Sequence, residues 1–251
     1  MKEIAANIEI VSVGVFDPNG QGLLQAEPRT GKVPDFKPRQ WIPQKKQIKL
    51  MTRPVQLGVA AAASAIAQYP QWELVKPERR AFFVGAAPQS MQGGLDRAFD
   101  HSLKGDCFSL ELFATEGVSH IHPLWLVKGL SNNILGFASS FWDCQGVNSN
   151  YCDGSNGGWQ AIVEGVYALE EEQADIVLMG GADDMQAASD LIGREGSEAA
   201  VFLIAKRSER KCFISQERLA PYVEGYGQLG AVHWPLALAR AWHDEALKHK
   251  H

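Results

Sequence analysis

The sequence of 251 residues lacks a paired-cysteine motif, an export-type leader and a long apolar run. Its four cysteines are scattered without the CxxC spacing of metal knuckles, so we expect no metal site and no disulfide framework. Residues 1–7 lack the basic, apolar and small-residue pattern of a secretory signal, and no apolar run approaches the length of a membrane span. Together these absences predict a protein of the reducing cytoplasm without a membrane span.

An excess of positive charge is also absent, because the formal net charge is −5. This balance predicts a protein without a nucleic-acid or anionic-membrane partner. The length suffices for one substantial core, and no linker interrupts the chain. We therefore expect one domain over residues 1–251, and we expect no cofactor.

Apolar runs alternate with helix-forming stretches along most of the chain. Residues 8–15, 81–86 and 175–181 have the composition of strands, and the last two are apolar enough to be buried on both faces. Residues 198–204 and 211–215 are predicted to form a strand pair with a short turn between them. Helices are expected at the alanine-rich stretch after Thr52, near residues 92–103, in the region after Pro123 and from Trp234 to about residue 249. This succession predicts an α/β layer fold with a mixed sheet.

Residues 146–162 are the most informative segment of the sequence. They comprise a short extended stretch, a glycine-punctuated turn and the start of a helix that continues to Leu169. Ser155 would lie where the strand turns into the helix, beneath the unpaired N–H groups of the helix N-terminus. Nucleophiles are often found at such elbows, but a hydroxyl there needs a positioned base to react.

The order of the motifs resembles the N-terminal half of the β-ketoacyl synthases, which have the thiolase-like fold. The resemblance covers about residues 8–206, and its motifs lie at 11–15, 49–51, 84–86, 123–136, 146–162, 175–183 and 194–201. It implies a thiolase-like half-fold with a mixed five-stranded sheet layered with helices. The thiolase-like core would cover about residues 8–217, and a C-terminal helix would cover about 234–249.

The resemblance also implies what the elbow does. The nucleophilic cysteine of ketosynthases falls at Ser155, whereas Cys152 falls three residues earlier, on the predicted strand, as a structural thiol. The two histidines that assist decarboxylation and condensation belong to a C-terminal half that this sequence lacks. Residues 227–231 are faintly similar to the last active-site loop of the family, but Gln228 stands where a histidine would. A serine is far less acidic than the cysteine thiol, so we expect no catalytic residue.

Ketosynthase-like chains without the cysteine are found as chain-length factors. These subunits pair with a true ketosynthase in type II polyketide systems and help to shape the product tunnel. A truncated form accompanies the ketosynthases of bacterial aryl polyene pathways, and this sequence resembles that form most. The resemblance therefore implies a full-length ketosynthase as partner in a heterodimer or larger assembly, with an acyl carrier protein reached through the complex.

Two sets of site residues follow from the resemblance. The strand that leads to the elbow pairs across the two-fold axis in this family, and a polar edge suits such pairing. The implied interface residues are Asn148, Ser149, Asn150, Tyr151 and Cys152. Trp125 falls at a gating aromatic of the acyl tunnel, and the implied tunnel end is a helical stretch with Phe108, Leu112 and Phe113. Ordinary core aromatics at helical spacing remain an alternative for these positions.

Three other interpretations stay open from the sequence. Ser155 lies in a motif one glycine short of Gly-x-Ser-x-Gly, with Asp190 and His233 later in the chain, as a serine hydrolase or acyltransferase would require. His120 and His122 could form a metal pair, but surface or interface positions explain them better, because they lack an evident third ligand. The chain could also be a carrier-protein or ketosynthase-like scaffold with no acyl tunnel role.

Overall fold

The computed structural model describes residues 3–86, 95–186, 188–189 and 193–248. The chain divides into two compact units. The larger comprises residues 1–87 and 131–251, and the smaller comprises residues 88–130. Among the residues described, no helix is both long and apolar enough to cross a membrane. The expectation of a single domain over the whole chain stays a prediction.

A mixed sheet forms the centre of the larger unit. Its strands are β1 (Ile4–Asp17), β2 (Gly20–Gln21), β3 (Arg80–Ala86), β6 (Asn148–Tyr151), β7 (Ile176–Asp184) and β8 (Glu198–Ile214). The strand order is β2-β1-β8-β7-β3-β6, with β3 parallel to both β6 and β7, and with β8 antiparallel to β1 and β7. This confirms the predicted mixed α/β sheet, to which the two-residue β2 adds a sixth strand.

The prediction of a strand pair over residues 198–204 and 211–215 is wrong. Residues 198–214 form one strand of 17 residues, not two strands joined by a turn. The first eight residues of the strand are buried. The charged stretch from Lys206 to Lys211, which resembled a turn in the sequence, follows them and is mostly exposed. The strand continues past this stretch because β1 pairs on both sides of it, with Arg207 before it and with residues 212–214 after it, across a register shift between Ala6 and Ile8.

Helices cover both faces of this sheet. They are α1 (Arg53–Ala67), α5 (Asn133–Trp142), α6 (Gly154–Glu170), α7 (Gln216–Leu219) and α8 (His233–Lys248). The side chains of β3 alternate between the two layers, as the period of a strand requires. Phe82 and Val84 pack in the cluster of α1 and α5, whereas Ala81 and Phe83 pack in the cluster of α6 and α8.

The predicted C-terminal helix is present as α8, which begins one residue before the predicted start. Leu236, Ala237 and Ala239 have no exposed surface and join the core formed with α6. The indole Nε1 of Trp242 donates to the carbonyl of Ile10 at 3.0 Å. The helix therefore covers apolar surface on the α6 side of the sheet.

The smaller unit contains α2 (Asp96–Asp100), α3 (Leu110–Thr115), α4 (Trp125–Gly129) and a hairpin of β4 (Leu103–Lys104) and β5 (Cys107–Phe108). The helix expected near residues 92–103 is described as α2, and its predicted first residues lie outside the described ones. Phe108 was expected in a helix, but it lies in β5, because Ser109 caps α3 by accepting from the N–H of Leu112 and so places the helix start after it.

Candidate functional site

The elbow begins at the edge of the sheet. Strand β6 pairs with β3 alone among the described strands, in parallel register from Phe82 opposite Asn148 to Gly85 opposite Tyr151. The N–H of Phe82 donates to the carbonyl of Val147 at 3.1 Å. Because bonding groups alternate along a strand, the N–H and C=O groups of Asn148 and Asn150 face the open side. The predicted edge strand is thus a feature of the fold.

A sharp turn joins β6 to α6. Gly154 adopts φ of +47°, in the left-handed region that favours glycine, and opens the helix. Asp153 accepts from the Nδ2 of Asn156 at 3.1 Å through its side chain, and from the N–H of Gly157 at 3.0 Å through its carbonyl. Ser155 is the second residue of the helix and is exposed. The predicted strand–turn–helix elbow is therefore present.

Ser155 has no hydrogen-bonded base among the described residues: no described His, Asp or Glu bonds to its hydroxyl. His233 begins α8, where its ring lies 4.6 Å from that of Trp234. Burial lowers the pKa of His233, which favours the neutral imidazole. Asp190, the other residue that a hydrolase would recruit, lies outside the described residues. A hydroxyl at a helix N-terminus without a base is a weak nucleophile.

A second segment packs against the elbow helix. A Cβ on Gly158 would lie 2.0 Å from the carbonyl oxygen of Ala231, and a Cβ on Gly85 would lie 2.6 Å from the N of Gly158. The absence of side chains at these two positions lets β3, α6 and the loop of residues 227–231 meet. The sequence similarity of this loop to the family is faint, but its Gly230 is a signal that could have placed it here, because a Cβ on Gly230 would lie 2.0 Å from the Oδ2 of Asp183.

Asp183, near the end of β7, is hydrogen-bonded to this loop. It is 4 % exposed, and its Oδ2 accepts from the N–H of Ala231 at 3.0 Å. Its Oδ1 accepts from the N–H of Asp184 at 2.8 Å. Burial raises the pKa of Asp183 to about 6, against the lowering effect of both backbone N–H groups. Asp183 is thus a buried carboxyl group beside the elbow, which sequence reasoning recognised only as part of a motif.

The structure corrects the position of Cys152. Strand β6 ends at Tyr151, so Cys152 follows the strand and does not lie on it. The cysteine is exposed, and its Sγ accepts from the Nδ2 of Asn150 at 3.1 Å. The strand ends there because its pairing with β3 ends where Tyr151 lies opposite Gly85.

The other implied interface residues are mostly half-buried. Asn148 is exposed and donates through Nδ2 to the carbonyl of Gly146 at 3.1 Å. Ser149, Asn150 and Tyr151 are half-buried. Within the described residues, the Oδ1 of Asn150 is buried without a hydrogen-bond partner. Their role in a partner interface stays a prediction.

All four implied tunnel residues belong to the smaller unit. Trp125 begins α4 and is half-buried, and its indole N–H has no partner within the described residues. The rings of Phe108 and Phe113 lie 5.8 Å apart, and Phe99 lies 5.9 Å from Phe108. Leu112 lies on α3, half-buried. Sequence reasoning missed Phe99, which completes this aromatic cluster, and the tunnel role of the four residues stays a prediction.

The histidines considered as a metal pair have other neighbours. The ring of His120 stacks on that of His101, with centroids 3.9 Å apart. The Nδ1 of His122 accepts from the N–H of Leu124 at 3.0 Å. Within the described ranges, no group of three or more His, Cys, Asp or Glu side chains is suited to a metal ion.

Comparisons with known proteins show which fold this is. No protein-family model and no curated protein matches the sequence. One matching structure is a type II polyketide synthase acyl-carrier protein in complex with its ketosynthase bound to the hexaketide, with a TM-score of 0.63 at 14 % identity over 80 % of this chain and 62 % of that one. The ishigamide ketosynthase/chain length factor matches with 0.63 at 17 % identity over 81 % and 59 %.

A β-ketoacyl synthase from Burkholderia phymatum also matches, with a TM-score of 0.62 at 18 % identity over 81 % of this chain and 60 % of that one. The chain thus spans about three fifths of the length of these structures. At such identities the likeness establishes fold. The protein has the thiolase-like ketosynthase fold, as the resemblance in the sequence implied.

Proposed function

We propose that this chain is a non-catalytic subunit of the chain-length-factor type. In this proposal it pairs with a full-length β-ketoacyl-[acyl carrier protein] synthase. The pathway would be polyketide biosynthesis, such as that of aryl polyenes, or a fatty-acid-like biosynthesis. The observation that carries the proposal is the elbow: a ketosynthase-type turn presents the hydroxyl of Ser155, to which no base among the described residues is hydrogen-bonded. Acyl transfer and condensation would then depend on the cysteine and histidines of the partner.

Two surface features support a protein partner. Strand β6 offers an open, polar edge that a second sheet could extend. In addition, eight of the thirteen large hydrophobic side chains found exposed in the described parts of the chain lie between Phe99 and Leu130. Apolar side chains concentrated in this way are typical of protein interfaces. A stable complex of this kind would bury about 2,000 Å² or more.

Co-expression with a full-length ketosynthase tests the proposal. We expect the two chains to co-purify, and we expect the complex to condense acyl and malonyl units at an unchanged rate when Ser155→Ala is introduced. The matched control is alanine at the partner's catalytic cysteine, which should abolish condensation while leaving the complex intact. Failure of the two chains to associate, or loss of condensation in Ser155→Ala, would contradict the proposal.

A fluorophosphonate probe addresses the serine-enzyme interpretation on the isolated chain. We expect no covalent label on the 251-residue protein, because the Ser155 hydroxyl has no base to activate it. Intact mass is the measurement. An adduct that disappears in Ser155→Ala would establish a serine hydrolase or acyltransferase in place of the proposed subunit.

A further inference from the structure

The long strand β1 has one side of its main chain that no long strand covers. On its inner side β1 pairs with β8. On its outer side, among the described strands, only its last two residues, Phe16 and Asp17, pair, and they pair with β2. Residues 4–15, here called the outer edge of β1, therefore face no other described strand. An unpaired edge of this length is a template on which another chain could add a strand.

Two side chains from elsewhere in the fold bond to main-chain carbonyl groups of this strand. The indole Nε1 of Trp242, on α8, donates to the carbonyl of Ile10 at 3.0 Å. The Nε2 of Gln68, the residue after α1, donates to the carbonyl of Val13 at 2.8 Å. Because α1 and α8 lie on opposite faces of the sheet, the strand is approached from both helical layers.

The register of the sheet shows that these two carbonyls lie on the outer edge. The carbonyl of Val15 accepts from the N–H of Gly22, directly after β2, so it faces away from β8. Val13 lies two residues earlier and faces the same way. The register shift between Ile10 and Ser12 inserts one residue in β1, which brings the carbonyl of Ile10 to the same side. Three successive outward carbonyls of the edge are therefore already occupied.

A close helix–strand contact places Gln68. A Cβ on Gly14 would lie 2.0 Å from the carbonyl oxygen of Ala61, so the absence of a side chain lets α1 approach β1. The Nε2 of Gln68 also donates to the carbonyl of Ser64 at 2.9 Å, one turn back in the helix. The amide group is therefore held over the edge of the strand, although the side chain belongs to an exposed residue.

A buried polar network places Trp242. Arg240, two residues earlier in α8, donates through Nη1 to the hydroxyl of Tyr226 at 2.5 Å and to the carbonyl of Ala26 at 3.1 Å. The hydroxyl of Tyr226 in turn donates at 2.9 Å to the Oδ2 of Asp17, the last residue of β1. Asp17 and Tyr226 have no exposed surface. The network therefore ties α8 to β1 beside the point where the indole of Trp242 bonds.

The first part of the outer edge is irregular. The N–H of Asn7, at the register shift between Ala6 and Ile8, donates to the Oε1 of Glu170 at 2.6 Å. Bulges interrupt the regular ladder that an added strand would need, and they are a common feature of edges that stay unpaired. Irregularity at one end and occupied carbonyls at the other thus act on the same edge.

We propose that Gln68 and Trp242 block the outer edge of β1 from pairing with a second copy of this chain. A second copy is the partner in question because antiparallel pairing of β1 with itself needs only one kind of edge, as an isologous interface does, and every solution of the protein contains it. The two side chains occupy carbonyls that an added strand would use, and they cover the edge. This role does not rest on the proposed function, and it leaves β6 as the edge of the sheet that is open to a partner.

Alanine substitution tests the proposal on the full chain by itself. The edge variant is Gln68→Ala with Trp242→Ala. The matched control is Gln56→Ala with Trp159→Ala, because Gln56 also donates to a main-chain carbonyl, that of Met51 at 3.0 Å, and Trp159 packs half-buried against the same core as Trp242. Light scattering over a range of protein concentrations measures self-association. Hydrogen exchange followed by mass spectrometry locates the surface that becomes protected.

We expect the edge variant to dimerise about tenfold more tightly than the wild type and the control, because each freed carbonyl gains a partner in the added strand. Amide exchange in residues 4–15 should slow as its concentration rises. Equal self-association of the edge and control variants would overturn the proposal, because destabilisation alone would then explain it. Protection confined to residues outside 4–15, or dimerisation of the wild type through residues 4–15, would overturn it too.

The single variant Gln68→Ala keeps the test decisive if the double variant does not fold. Gln68 is exposed, so we expect this variant to have the circular dichroism spectrum of the wild type. Its dimerisation should be about threefold tighter than that of the wild type, with the same protection of residues 4–15. Unchanged self-association of the folded single variant would contradict the proposal. Because the chain is tested alone, failure to bind a ketosynthase would leave this result standing.

Discussion

At the scale of the residue, chemistry at the elbow depends on which proton acceptors lie nearby. Asp183 is a buried carboxyl group that loses most of its contact with water and gains two backbone N–H donors in return. These donors do not compensate fully for the loss of hydration, so burial dominates and the pKa of Asp183 rises to about 6. The same carboxyl group accepts the hydrogen bond that holds the loop of residues 227–231 against α6.

Asp183 makes stability depend on pH in a defined direction. Its pKa is higher in the folded state than the ordinary 3.8, so the folded state binds the proton more tightly and this contribution to stability grows as the pH falls through 6. It amounts to about 1.4 kcal/mol between pH 7 and 5, and to about 3 kcal/mol below the ordinary pKa. Urea unfolding of wild type and Asp183→Asn at both pH values measures it.

We expect the wild type to gain this free energy of unfolding relative to Asp183→Asn when the pH is lowered from 7 to 5. The comparison of the two proteins cancels the titration of other groups, such as Asp17, whose pKa is also raised by burial. Identical pH dependence in the two proteins would show that Asp183 titrates normally.

At the scale of the element, the two sides of β6 differ: one side is hydrogen-bonded to β3 within the fold, and the other is open to a partner. The N–H of Ser149 faces β3, whereas the N–H of Asn150 faces the open side, because bonding groups alternate along a strand. Proline removes an N–H, and edge strands tolerate it where that N–H points away from the sheet. Proline at Ser149 therefore tests the bonding of β6 within the sheet, and proline at Asn150 tests its bonding to a partner.

We expect Asn150→Pro to fold and to lose most of its affinity for a ketosynthase, by about tenfold or more, because a strand added at this edge would need that donor. Ser149→Pro, the control, should lower the melting temperature, because it removes a bond within the sheet. Thermal melts and co-purification provide the two measurements. Unchanged association of a folded Asn150→Pro protein would exclude strand pairing at β6.

At the scale of the whole molecule, the exposed apolar side chains of the smaller unit need an explanation. Phe99, Phe108 and Phe113 form a cluster that remains partly open to water, and Leu126 is 67 % exposed. Surfaces of this kind are stabilised by a partner or occupied by an apolar ligand. The proposed subunit role provides for both, through a ketosynthase and its growing acyl chain.

Product length is the measurement that decides whether this unit shapes a tunnel. In a reconstituted complex, we expect Trp125→Ala and Phe113→Ala to shift the products toward longer chains, because each removes volume that would limit elongation. Leu74→Ala, at a side chain 84 % exposed in the larger unit, is the control and should leave the products unchanged. An unchanged distribution in all three variants would favour a scaffold without a tunnel role.

The sequence alone was sufficient to predict the buried strands, the elbow and the terminal helix. Their signals are local: an uninterrupted apolar run at residues 81–86, a glycine-punctuated turn before α6, and proline in the first turn of α8. Ser155 could be placed at the turn for the same reason. The boundary of β6 and the position of Phe108 were predicted less well, because the end of a short element depends on its partner strand or cap.

Tertiary structure decided the remaining features, because they join residues that are distant in the sequence. Strand β8 stays continuous across a charged stretch that resembled a turn, since β1 pairs with β8 on both sides of that stretch. The loop at Ala231 reaches Asp183 across 48 positions of the chain. Likewise, the buried Glu198 accepts from the N–H of Val33, 165 positions away in the sequence, a pairing that only folding reveals.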